Sequence, residues 1–153
     1  KQVAYLPQQV FLIDSTMRQN AALGVDEDDI DDELLHQVLK QVRLQELVDQ
    51  LPQGVETLLG ERGVRLSGGQ RQRVALARAF YHGREVIVMD EATSSIDNET
   101  EEEIVNEILQ LKGKKTMIVI AHRLTTLRHC DQIYRLDNGK IIEHGTYEEI
   151  NKL

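Results

Sequence analysis

Leu66-Ser67-Gly68-Gly69-Gln70 opens a helical pattern, and the apolar run Glu85-Val86-Ile87-Val88-Met89 that follows it ends in Asp90-Glu91. Two glycines after a serine leave a backbone that a phosphate can approach, with free N–H groups and the positive helix end aimed outward. An apolar strand ending in two carboxylates offers one group for a metal and one for a water. Together the two stretches point to nucleotide chemistry.

Working outward, Ser67 caps a helix that continues through Val74, Ala75, Ala77, Arg78 and Phe80 to His82, where Gly83 supplies the stop. Arg71, Arg73 and Arg78 fall on or near its exposed side in this reading. Downstream comes a βαβ unit: strand Val86 to Met89, helix Asn98 to Leu111, strand Thr116 to Ala121. Asn98 with Glu101 is a capping pattern, Ile104, Val105, Ile108 and Leu109 form a buried face, and Gly113 ends the helix. Both strands are near-continuously apolar, which predicts parallel strands buried on both faces. Glu91 and His122 then follow strand C-termini, where open α/β sheets bind ligands.

Upstream, Lys1 to Leu6 reads as a short strand with Val3 and Tyr5 on one face, and Pro7 stops it because proline cannot donate to a sheet ladder. The acidic block from Asp26 to Glu33 precedes Leu34, Leu35, Val38, Leu39 and Val42, which share one helical face. Acids at a helix entry complement its dipole, and the block lacks the Gly and terminal Glu of a calcium loop, so it reads as a solvated helix start. A second short helix, Gln45 to Leu51, ends at Pro52. At the far end, Gln132 to Leu136 and Lys140 to Glu143 flank Asp137-Asn138-Gly139 as a hairpin, and Thr146 with Glu149 caps a last helix.

A chain of 153 residues with 41% apolar content can build one domain with a core. Its longest apolar runs, such as Met117 to Ala121, fall far short of the ~20 residues a spanning helix needs. A net charge of -8 argues against a nucleic-acid surface, so no nucleic-acid partner is expected. The single cysteine, Cys130, forms no internal bridge.

In order along the chain, these stretches resemble the motifs of the nucleotide-binding domain of an ATP-binding cassette (ABC) transporter of the exporter type. Gln8 in Leu6-Pro7-Gln8-Gln9 is similar to the Q-loop, Gly60-Glu61-Arg62-Gly63 to the exporter X-loop, and Leu66 to Gln70 to the signature motif. Val86 to Glu91 resembles Walker B, Ser94-Ser95-Ile96-Asp97 the D-loop, and Ile120-Ala121-His122-Arg123 the H-loop. A Ser-Gly-Gly alone would be a capped helix after a loop; Leu66 and Gln70 around it, with Walker B downstream, favour the signature. Gly-x-x-x-x-Gly-Lys-Ser/Thr, the Walker A loop that cradles phosphates, is not in the sequence. Its nearest approach, Gly113-Lys114-Lys115-Thr116, has Ile at position 108 and Lys after Lys114. The expectation is therefore the C-terminal part of a cassette.

The resemblance implies an α/β P-loop NTPase-like core with a parallel sheet and an inserted helical subdomain. Residues 1–14 would carry the core strand and Q-loop, 15–83 the mainly helical subdomain with X-loop and signature, and 84–153 Walker B, D-loop, H-loop and the terminal hairpin and helix. It implies ATP and Mg2+ as ligands. Ser67, Gly68, Gly69, Gln70 and Asp97 would serve nucleotide binding across a head-to-tail dimer of cassettes; Gln8 and Asp90 would serve the metal. Glu91 and His122 would be catalytic. The partners implied are a second cassette and the transporter's transmembrane domains, at the cytoplasmic face of a membrane.

Two other classes compete. Soluble ABC ATPases of DNA repair or chromosome structure share the signature and Walker B, but insert a long coiled coil where the interval from Gln8 to Ser67 here predicts only short helices. A non-catalytic dimerisation or regulatory module is the other, and nucleotide binding separates it from an enzyme.

Overall fold

The computed structural model describes residues 3–61, 63–90, 113–121 and 127–151. The helix expected from Asn98 to Leu111 lies outside them. The chain divides into two compact units, Lys1–Ile120 and Ala121–Leu153, a boundary that falls inside the expected segment 84–153.

In the first unit, three parallel strands lie in the order β1 (Val3–Leu6), β2 (Val86–Asp90), β3 (Thr116–Ile120). Leu6 pairs with Met89, and Asp90 with Ile120, so the strands finish along one edge. Between β1 and β2 run α1 (Met17–Ala21), α2 (Asp32–Gln41), α3 (Gln45–Gln50) and α4 (Gly68–Tyr81). The expected α2 face is real: Leu35, Val38, Leu39 and Val42 are all buried. Its start is set by Asp31, whose carboxylate accepts from the Leu34 N–H at 2.9 Å, the N-cap bond that an aspartate makes. The α1 helix was not foreseen; Thr16 caps it by accepting from Gln19 N–H at 3.1 Å. Among the described residues, no helix is long and apolar enough to cross a membrane.

One face of the sheet packs on the helices. Leu6, Ile87 and Met89 join Val74, Ala75, Leu76, Ala77 and Ala79 of α4 in a single core. The other face departs from expectation. Continuous apolarity predicted burial on both sides, yet Ile118 is 51% and Ile120 48% exposed. Successive side chains of a strand point to opposite faces, and α4 covers only the face that carries Ile87 and Met89.

In the second unit, β4 (Ile133–Asp137) and β5 (Lys140–Gly145) form the expected antiparallel hairpin. Its turn places Asn138 at φ 46 and Gly139 at φ 75, left-handed values that asparagine and glycine tolerate and that match the twist of the strands. Then α5 (Tyr147–Ile150) begins after Thr146, whose N–H donates to Glu149 Oε2 at 2.8 Å.

Candidate functional site

The signature stretch forms a fully satisfied capping box. Gln70 N–H donates to Ser67 Oγ at 3.2 Å, and Ser67 N–H donates to Gln70 Oε1 at 2.8 Å. A first helical turn has N–H groups with no intrahelical acceptor; the cap takes that of Gln70, and among the described residues those of Gly68 and Gly69 meet no acceptor. Leu66 is buried below the turn and Arg71 Nη1 donates to its carbonyl at 2.8 Å, so the entry to α4 is fixed from both sides. Gln70 is thus a backbone brace for Ser67 in this structure.

At the strand edge, Asp90 is the last residue of β2, partly exposed. Tyr5 Oη donates to its Oδ2 at 2.6 Å. That bond to a carboxylate holds the Tyr5 phenol above its ordinary value, since the neutral donor form is the one that fits. Gln8 lies in a bend two residues past Leu6, and the pairing of Leu6 with Met89 brings Gln8 and Asp90 to the same end of the sheet. The Q-loop backbone is held from α4: Gln72 Nε2 donates to the carbonyls of Pro7 at 3.2 Å and Gln8 at 3.1 Å. Gln72 is buried and its Oε1 accepts no hydrogen bond among the described residues.

Past the Q-loop, the chain is strapped down at several points. Asn20, wholly buried, donates to the carbonyls of Ile13 (3.0 Å), Ser15 (3.3 Å) and Thr16 (3.0 Å), and its Oδ1 accepts from Ile13 N–H. Arg78 was expected on or near the exposed side of α4. Instead its Nε and Nη2 reach Asn20 O and Oδ1 at 2.7 and 3.0 Å, and its Nη1 reaches Phe11 O at 2.8 Å. Burial pulls the guanidinium below its ordinary value, but three hydrogen bonds from its rigid fork, two to backbone carbonyls and one to Asn20 Oδ1, hold it there charged. Of Arg73, too, the Nε is buried. The X-loop is tied to the same strap: Leu59 N–H donates to Ser15 O and Glu61 N–H to Asp14 Oδ1, both at 2.8 Å. Gly63 is required there, because a Cβ would run into the Leu58 carbonyl.

Of the residues expected to act, the structure brings Gln8 and Asp90 to one sheet end and places Ser67, Gly68, Gly69 and Gln70 at one helix start. Glu91, Asp97 and His122 lie outside the described residues, as does Arg62 of the X-loop. Tyr5, Asn20 and Gln72 were missed as site supports. Periodicity marks Tyr5 only as a strand residue and Gln72 as a polar helix position, and their partners lie 85 and 65 residues away along the chain, which no local pattern encodes; Asn20 was missed with the α1 helix that carries it. Gly113-Lys114-Lys115 forms a turn into β3, with Thr116 opening a strand, whereas a Walker A loop leads into a helix.

The family model described as ABC transporter matches residues 1–94. The ABC transporter BEA3 of Gibberella fujikuroi is 44% identical over 151 residues, covering 98% of this chain and 12% of its own length. An ATP-dependent lipid A-core flippase of Cupriavidus pinatubonensis is 43% identical over 150 residues, covering 97% and 25%. Among solved structures, a bacterial Atm1-family ABC exporter with ATP bound superposes with a TM-score of 0.85 at 34% identity, covering 99% of this chain and 26% of that one. The chain therefore spans about an eighth to a quarter of the length of these relatives.

Proposed function

This chain belongs to the ABC transporter family, and on that premise we propose that it is the C-terminal part of the ATP-binding cassette of an exporter, which couples ATP hydrolysis to transport across a membrane. The part runs from the Q-loop strand to the terminal hairpin and helix, and what supports the reading most is the strand register, which sets Gln8 and Asp90 at one end of the sheet. The phosphate loop would come from sequence that this chain does not contain.

In this reading two cassettes close head to tail over two ATP molecules. The Gly68 and Gly69 N–H groups and the Ser67 hydroxyl of one cassette bind the terminal phosphate that the other presents, using the free donors and positive end of α4. An Asp90 carboxylate and a Gln8 amide are the hard oxygen donors that Mg2+ takes, and Asp90 Oδ1 is open among the described residues, so these two would hold it, Gln8 by contact and Asp90 through water. When bound, Mg2+ neutralises charge on the phosphate oxygens. Glu91 accepts a proton from the attacking water, His122 contacts the terminal phosphate, and Asp97 signals across the dimer. Phosphoryl transfer asks little covalent chemistry of the protein, so positioning and charge do most of the work.

Exposed apolar side chains line a groove between β1 and α4. Phe11 is 75% and Leu23 37% exposed, with Val10 and His82 beside them. We place the transmembrane partner there, on the cytoplasmic side. The chromosome-type alternative needs a coiled coil ahead of the signature, and α2, with 10 residues, is the longest helix of that interval.

Glu91→Gln in the full-length protein tests the reading. It keeps size and hydrogen bonding while removing the base, so ATP turnover falls by about 10² or more with nucleotide binding retained. Unchanged turnover sinks the assignment of Glu91.

A further inference from the structure

Tyr5 stands opposite Val88 in the β1/β2 register, and its ring leans forward along the neighbouring strand until the hydroxyl reaches Asp90 Oδ2 at 2.6 Å. The bond belongs to the short, charge-assisted class, in which a neutral O–H donates to a carboxylate. Tyr5 itself is 59% exposed, so burial of the ring does not explain its placement. Its effect falls on Asp90. The last torsion of an aspartate is broad and roughly two-fold, so a carboxylate at a strand end samples many orientations unless a partner fixes one oxygen. With Oδ2 occupied by Tyr5, Oδ1 is the oxygen left for another ligand; among the described residues nothing donates to it.

We propose that Tyr5 is a positioning residue for the metal-holding carboxylate: it pins Asp90 Oδ2 so that Oδ1 is presented at the strand end. This rests on the reading of Asp90 as the group that holds Mg2+. Partners that orient a metal ligand are commonly worth 10- to 100-fold in metal affinity, whereas a cross-strand tie with a structural role alone changes stability and leaves metal binding as it was.

Tyr5→Phe removes the hydroxyl and keeps the ring and its strand preference. Mn2+ is the probe, its affinity read by electron paramagnetic resonance on the full-length protein with a non-hydrolysable ATP analogue, for wild type, Tyr5→Phe, Asp90→Asn and the double variant. Melting temperatures without metal serve as the fold control. The expected result is about tenfold weaker Mn2+ binding in Tyr5→Phe, a larger loss in Asp90→Asn, and no further loss in the double variant, because Tyr5 acts only through Asp90. Unchanged Mn2+ affinity in Tyr5→Phe, with Asp90→Asn still weakened, overturns the role of Tyr5 and leaves the metal reading standing. Unchanged affinity in Asp90→Asn overturns both.

Discussion

The strap at residues 8–20 and the hairpin at residues 133–145 are held by different means. The strap has little regular structure of its own; it is fixed by Gln72 and Arg78 of α4 and by its own buried Asn20, whose bonds end mostly on backbone carbonyls. The hairpin is fixed by its own ladder and its Asn-Gly turn, while Leu136, Ile141 and Ile142 remain 66%, 59% and 58% exposed. The ion pair of Arg135 with Glu143 at 3.5 Å is exposed and adds little. Structure held by a ladder of many equivalent bonds tolerates substitution singly, whereas structure whose bonds converge on a few buried polar side chains fails together.

Asn20→Ala breaks that comparison hardest. It strips hydrogen bonds from the part-buried carbonyls of Ile13, Ser15 and Thr16 and takes Oδ1 from Arg78, so a cost of about 3 kcal/mol is expected. For a chain of this size that is a fall of roughly 6–12 °C in melting temperature, measurable by calorimetry; a loss under about 1 °C would mean the strap is held otherwise. In the hairpin, Gly139→Ala puts a Cβ at φ 75 and costs about 1–2 kcal/mol. Amide exchange should quicken in β4 and β5, and equal quickening at residues 8–20 would contradict the view that the hairpin is held locally.

The smallest effect is one of pH. Arg18, which is itself mostly buried, donates to both carboxylate oxygens of Asp32, at 2.7 and 3.2 Å, and this holds the Asp32 carboxyl below its ordinary value of 3.8. A depressed folded value means that the pair contributes above the unfolded value and that the contribution is lost as pH falls below about 3.8 through the folded one. Urea curves of wild type and Asp32→Asn should therefore differ slightly near neutrality and converge in acid. A difference that persists at low pH would show that the charge is not what Asp32 contributes. Arg18 also donates to the Glu27 and Ile30 carbonyls, so the acidic block, read as a solvated helix start, is partly a docking surface for one arginine.

Wherever the deciding forces are local, the sequence was legible. Ser67 and Gln70 announce a capping box, Asn138-Gly139 a tight turn, and the spacing of Leu35, Val38 and Leu39 a helix face, because each needs partners only a few residues away. The parallel strands were legible as elements but not in their burial, since apolar composition does not say which face a helix will cover; Ile118 and Ile120 show the difference. Arg78 was misplaced because a charged residue on a helix is ordinarily solvated, and only the path of the chain between Phe11 and Asn20 supplies enough carbonyls to hold it inside.

By itself, then, the sequence determined the order of the motifs, the chemistry of their donor groups and the local turns that present them. Tertiary structure alone decided which of these meet: that Leu6 pairs with Met89 and so brings Gln8 to the Asp90 end of the sheet, that Gln72 holds the Q-loop carbonyls, and that Tyr5 reaches Asp90. Hydrogen bonds are short and directional, so whether two groups 85 residues apart form one depends on strand register to within a single residue, which appears only once the sheet is assembled.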